Sequence, residues 1–251
     1  MGFALRFDQV SKSFAHHGGR MLLRDRLLEI VRRSRPRFQA LKNVSFELAP
    51  GECMGLIGSN GAGKSTTLNM ATGLLLPDSG RIDVNGKVTA LLELGAGFHP
   101  DLTGAENVRV NAALLGLTRR QLNARFDGIV EFSGIGDFIH EPLRTYSSGM
   151  NMRLAFSVAI ASDPDILLMD EIIGTGDTAF AEKCLEKIQS FQREGKTMLM
   201  ASHSSGLITQ LCQRVLWLSH GEVLACGPPR QTLEAYHEAT HASASLSAGG
   251  S

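Results

Sequence analysis

Two stretches near the start of the chain, residues 5–10 and 44–48, alternate polar and apolar positions, the period of half-buried strands. Three others, 54–57, 166–169 and 197–201, are almost continuously apolar. Runs that short, closed off by glycine or by charged residues, predict strands covered on both faces. Helical patterns begin at 65–72 and dominate from about 103 to 162, with a further helix at 151–161 inside that region. Turn residues at Ala49-Pro50-Gly51, Pro77-Asp78-Ser79-Gly80 and Asn85-Gly86 isolate a strand at 81–84. Residues 214–218 and 222–226, joined through Ser219-His220-Gly221, predict a hairpin. A helix over 231–239 is expected to close the fold. The tail 241–251, rich in Ser, Ala and Gly, is expected to be disordered. The chain shows no internal repeat.

The candidate chemistry sits at the ends of the buried strands. After 54–57 comes Gly58-Ser59-Asn60-Gly61-Ala62-Gly63-Lys64-Ser65, a full match to G-x-x-x-x-G-K-[ST], with Thr66 next in the helix. Glycines let successive N–H groups converge on phosphate oxygens at the N-terminus of the following helix. Lys64 supplies a positive charge for the β- and γ-phosphates, and Ser65 a hydroxyl for Mg²⁺. The stretch predicts a nucleoside triphosphate site. The second apolar strand ends in Asp170-Glu171. In a P-loop protein the first acid at such a strand end holds Mg²⁺, so Asp170 pairs with Ser65 as a metal ligand. Glu171 is placed to polarise the attacking water as a general base. The third strand ends in Ser202-His203, and His203 is the candidate sensor of the γ-phosphate.

Composition changes little but excludes some partners. Lysine plus arginine (25) balances aspartate plus glutamate (25), so charge gives no case for a nucleic-acid binder. Cys53, Cys184, Cys212 and Cys226 form no C-x-x-C pair and are expected to be buried free thiols in a reducing compartment. No apolar run reaches bilayer length, and the N-terminus has no signal-peptide pattern, so any function at a membrane is expected to require a separate membrane subunit.

With these motifs in place, the chain resembles the nucleotide-binding subunits of ABC transporters over about residues 4–236. The resemblance implies an α/β P-loop ATPase with a RecA-like core, an antiparallel β subdomain and an inserted helical subdomain at about 103–162, all within one ATP-binding domain at 1–240. Tyr146-Ser147-Ser148-Gly149-Met150 stands where the superfamily carries L-S-G-G-Q; Ser147 and Gly149 keep the pattern, Ser148 and Met150 depart from it. This implies that Ser147, Ser148 and Gly149 contact, across a homodimer, the γ-phosphate held by the other copy. Phe14 lies where the family places an aromatic ring on the adenine, and Asp177 where it has its D-loop acid. The usual coupling glutamine is missing near Leu92-Glu93-Leu94. Glu93 is the nearest polar residue, but an ionised carboxylate cannot donate hydrogen bonds, so any coupling contact must differ.

Three stretches are similar to the subgroup that exports bacterial polysaccharides such as O-antigen, capsule or teichoic acid. They are residues 95–108, the Tyr-Ser-Ser-Gly-Met form, and Gly174-Thr175-Gly176-Asp177 with Phe180. The implied protein is a peripheral ATPase at the cytoplasmic face of the inner membrane, binding ATP and Mg²⁺. It would work with a transmembrane permease on a lipid-linked glycan, without nucleic acid. Two alternatives stay open: an ABC subunit for another substrate, and a soluble ABC switch ATPase acting on ribosomes or DNA. An extra segment separates Phe14 from the strand at 44. Leu23, Leu27, Ile30 and Val31 recur there at helical spacing among Arg24, Arg26, Arg32 and Arg33, predicting a helix at about 20–34 ended by Pro36. It is either a surface helix packed on its own domain or a basic amphipathic helix facing lipid headgroups or the anionic glycan.

Overall fold

The computed structural model describes residues 2–15, 37–92, 94–170 and 178–248. The expected inserted helix, Glu93, Glu171, Gly174 to Asp177 and the last three residues lie outside the described residues.

The long antiparallel pair β1 (Leu5–Ala15) and β2 (Arg37–Leu48) opens the chain. Then come β3 (Cys53–Ile57), α1 (Lys64–Ala71), β4 (Ser79–Val84) and β5 (Val88–Leu91). Helices α2 (Gly104–Leu114), α3 (Arg119–Ser133) and α4 (Ser148–Ala161) come next, with short 3₁₀ turns at Gly136–His140 and Leu143–Thr145. The chain returns through β6 (Ile166–Asp170), α5 (Thr178–Arg193), β7 (Thr197–Ala201) and α6 (Ser205–Leu211). It ends with β8 (Arg214–Ser219), β9 (Glu222–Gly227) and α7 (Pro229–Ala248).

Two sheets result. The first is antiparallel, in the order β2-β1-β4; the second runs β5-β6-β7-β3-β8-β9, parallel except for the last hairpin. The central strands read as unbroken apolar runs because both faces are covered. Ile166, Leu168, Leu199, Ala201, Leu216 and Leu218 face α1 and the antiparallel sheet. Their alternates Leu167, Met169, Met198, Met200 and Val215 face α4, α5, α6 and α7. This is the α/β architecture the sequence implies, with a separate antiparallel sheet.

Helices α2, α3 and the start of α4 form a third cluster around Val108, Leu122, Ile129, Ile139 and Leu154. Thr103 and Thr118 each close a capping box, with Glu106 and Gln121, and so define where α2 and α3 begin. Helix α4 belongs to two clusters: Leu154 and Val158 join the helical lobe, whereas Phe156, Ala159 and Ile160 join the main sheet. Phe156, Phe132 of α3 and Phe180 of α5 form an aromatic triad with centroids 5.8–6.0 Å apart. The triad ties the two bodies together.

Three features differ from the sequence expectation. Strand β1 runs to Ala15, because pairing continues through Phe14↔Phe38 and Ala15↔Arg37. The register shifts past Phe7 and the positive φ of Gln9 (51°) hide that continuation from any period-two pattern. The closing helix extends to Ala248, through most of the stretch expected to be disordered. Alanines at 242, 244 and 248 favour helix, and no glycine intervenes before Gly249. Cys226 is exposed, not buried, because β9 is an edge strand with one face open; its Sγ accepts a hydrogen bond from Arg214. Cys53, Cys184 and Cys212 are buried, and burial pushes the Cys184 thiol up to about 12.

Phe156 is 1% exposed. Phe156→Ala is expected to lower unfolding free energy by about 3–5 kcal/mol, read from urea denaturation. A loss below about 1 kcal/mol would mean the lobes are held by other contacts.

Candidate functional site: a cleft at the carboxyl ends of the central strands

Strand β3 delivers Ile57 to the turn, and α1 takes the chain away at Lys64. Between them the backbone comes so close to its neighbours that two glycines are obligatory. A Cβ on Gly58 (φ 151°) would lie 2.2 Å from the Leu218 carbonyl oxygen, and one on Gly63 (φ 110°) 2.8 Å from that of Ala40. Gly63 is also the N-cap of α1 and makes no side-chain cap. By contrast, Thr103, Thr118, Ser147 and Ser204 each accept a backbone N–H at their own helix starts. The first turn of α1 thus keeps its N–H groups for an anion, with the positive end of the helix dipole behind them.

A cleft of about 240 Å³ lies over this turn. It is lined by Asn60, Gly61, Gly63, Lys64, Ser65, Thr66, Asp170 and His203, with Phe38 and Ala40 on the far side. Three loops from three strand ends therefore meet here: the glycine-rich loop after β3, the end of β6, and the loop after β7. Lys64 Nζ donates to the carbonyls of Gly58 (2.7 Å) and Ser59 (3.2 Å), curling over its own loop. Ser65 Oγ donates to Asp170 Oδ2 at 3.1 Å. A hydroxyl and a carboxylate so close are hard oxygen donors of the kind that suit Mg²⁺. Of the sequence-predicted residues, Asn60, Gly61, Gly63, Lys64, Ser65, Thr66, Asp170 and His203 come together. Gly58, Ser59 and Ala62 build the loop beneath them.

Two expectations fare differently. Phe14 does not line the cleft; its cross-strand partner Phe38 does, 54% exposed on the rim. The ring beside the phosphate loop is thus set by strand pairing across the extra segment. Its only signal in sequence is an aromatic residue just past Pro36. Ser147, Ser148 and Gly149 lie exposed at the start of α4 and do not line the cleft within the same chain. Ser147 Oγ accepts the Met150 N–H at 3.2 Å, fixing that helix start. The segment is anchored by Tyr146, whose hydroxyl donates to the Phe138 carbonyl and whose pKa burial raises.

The spacing between the phosphate loop and the Phe38 strand is held by the β8–β9 turn. Gly221 N–H donates to the Ala62 carbonyl (3.1 Å), and its own carbonyl accepts from Lys42 N–H (2.7 Å). Lys42 and Glu222 add an ion pair at 3.1 Å.

A family model described as ABC transporter matches residues 41–174, more than half of the chain. The chain belongs to the ABC transporter family. An O-antigen export system ATP-binding protein, RfbB of Klebsiella pneumoniae, is 44% identical over 203 residues, covering 81% of this chain and 82% of the relative. RfbB of Myxococcus xanthus, with the same description, is 47% identical over 200 residues, which is 80% of this chain but 46% of that protein. The chain thus spans less than half the length of the second relative. A dimeric ATP-binding cassette solved in a post-hydrolysis state with ADP and Pi has the same fold, with TM-score 0.71. That match has 21% identity and covers 90% of this chain and 98% of that one. The cleft is accordingly the candidate nucleotide site of an ABC-family chain.

On this geometry, Phe38→Ala is expected to weaken ATP binding about tenfold, the scale of base–aromatic stacking. Binding of inorganic tripolyphosphate should stay unchanged, because that probe lacks the base. Calorimetry with both ligands checks this, and an equal loss for Phe14→Ala would return the role to that ring.

Proposed function

We infer that this chain is the ATP-hydrolysing subunit of an ABC transporter that exports lipid-linked polysaccharide of the O-antigen or capsule type. The observation that carries the ATPase half is the 3.1 Å contact of Ser65 with Asp170 at the foot of a cleft that Lys64 and His203 also line. The export half rests on the names of the relatives, joined to the forms of residues 95–108 and 146–150.

In this reading the phosphates of ATP lie along the first-turn N–H groups of α1, with Lys64 on the β- and γ-phosphates. Ser65 and Asp170 would hold Mg²⁺, which when bound neutralises phosphate charge. Phe38 takes the base. His203 donates a hydrogen bond to the γ-phosphate, and Glu171, next after Asp170, accepts a proton from the attacking water. Two copies pair head to tail, so that Ser147, Ser148 and Gly149 of one close the ATP held by the other, and Asp177 lies at the seam. The exposed N-terminus of α4 suits that role: Ser147 takes the Met150 N–H, while the other first-turn N–H groups and the helix dipole attract phosphate. Closure on ATP and opening after hydrolysis move a separate permease, with the pair at the cytoplasmic face of the inner membrane and no nucleic-acid partner. Among the described residues no helix is long and apolar enough to cross a membrane. A permease formed by a different chain is compatible with that.

Glu171→Gln is expected to lower ATP turnover about 10²–10⁴-fold while ATP still binds, because an amide cannot take the proton. The mutant should also accumulate as an ATP-bound dimer in size-exclusion chromatography. Turnover within threefold of wild type would remove Glu171 from the role. Ser147→Arg should abolish turnover yet leave ATP binding to the monomer intact; a Ser147→Arg chain that hydrolyses ATP normally would refute the head-to-tail arrangement. Recovery of the chain with a membrane subunit and stimulation of its ATPase by lipid-linked glycan would support export. Co-purification with ribosomes instead would overturn it.

A further inference from the structure

His203 reaches the cleft from a short loop between β7 and α6. Polar side chains hold that loop. Ser202, 7% exposed, accepts the Ser204 N–H on its Oγ at 3.0 Å, bridging over His203. Ser204 Oγ in turn accepts the Leu207 N–H at 3.4 Å and starts α6. These contacts fix the loop relative to α6. What fixes α6 at this end is a contact from far along the chain: Ser205 Oγ lies 3.1 Å from Nε2 of His237 on α7, 32 residues on.

His237 is itself tied to the main sheet. Its ring packs against Tyr236, centroids 5.6 Å apart, and Tyr236 meets Trp217 of β8 edge-on at 5.6 Å. Trp217 pairs in register with Ile57, the last residue of the strand that enters the phosphate loop. The closing helix therefore touches both β8, which pairs with the strand entering the phosphate loop, and the first residue of α6, just after the loop that carries His203. The hydrogen bond between Ser205 and His237 forms with either neutral tautomer, the hydroxyl donating to Nε2 or accepting from it.

The geometry points to His237 as a positioning residue for ATP hydrolysis: through Ser205 it holds the His203 loop at a fixed place relative to the phosphate loop. The role rests on the reading of His203 given above. Loss of a positioning contact that matters at the transition state lowers kcat without changing how ATP binds.

The test uses the purified full chain. His237→Ala and Ser205→Ala are each expected to lower kcat about three- to tenfold, the worth of one hydrogen bond, with KM for ATP within about twofold. The double variant should be no slower than either single one, since both break the same contact. His237→Gln, which can still bond Ser205, should recover most of the loss. Far-ultraviolet circular dichroism separates a misfolded variant from a slow one, and Ser205→Ala carries the test if His237→Ala does not fold. Wild-type kcat in both single variants, additive losses in the double variant, or a loss confined to KM would each overturn the proposal. His203→Ala run alongside keeps the two claims apart. Should it retain full turnover, the reading of the cleft fails and takes this role with it. Should it be inactive while Ser205→Ala and His237→Ala are wild type, only the His237 role fails.

Discussion

The site depends on a stretch of backbone that must pass where no side chain fits. At Gly58 the main chain lies against the Leu218 carbonyl, and at Gly63 against that of Ala40. This close passage turns the chain sharply enough that α1 starts without a cap of its own, leaving the first-turn amides for phosphate. Any Cβ at position 58 would displace β8, and one at position 63 would displace β2. The second of these strands holds Phe38, so strain in the loop would be felt at the rim of the cleft as well.

The two bodies of the chain share one helix, α4, and also meet where Phe132 of α3 and its carbonyl touch Phe180 and Lys183 of α5. The helical lobe has its own apolar cluster, and α4 contributes to that cluster and to the main sheet at once. Helix α4 starts just after its cap Ser147, so its exposed N-terminus and its Phe156 joint move as one piece. A partner that pulled on the lobe would move the N-terminus of α4 without bending it. This suits the role proposed for that end, reaching a phosphate on another copy and then releasing it.

How much of this was written in the residues depended on distance along the chain. The loop 58–65, Asp170 and His203 were legible because each comes after a short apolar strand and needs a particular residue type at a particular place. The central strands were legible for the same reason, since burial on both faces leaves a plain apolar run. Phe38 was not, because its place is decided by pairing with Phe14 across an intervening segment, and the bulge at Gln9 conceals how far that pairing goes. Nor was the meeting of Cys53 with Cys212, whose sulfurs lie 3.7 Å apart although 159 positions separate them. Composition misled at the C-terminus, where a small-residue tail continues a helix. It misled again at Cys226, where an apolar strand turned out to be an edge.

At the Gly221 turn, backbone and not side chains sets a critical spacing. Its amide and carbonyl bridge the phosphate loop and the strand that carries Phe38, and almost any residue elsewhere in the hairpin offers the same two groups. Exposed side chains of β9 can therefore change without touching the gauge, whereas Gly221 itself, where a Cβ would lie 2.6 Å from the Ala40 carbonyl oxygen, cannot, and a single inserted or deleted residue at the tip would reset it. The width of the cleft is in this sense tolerant of spelling beside the tip, but not at Gly221 itself, and not of length.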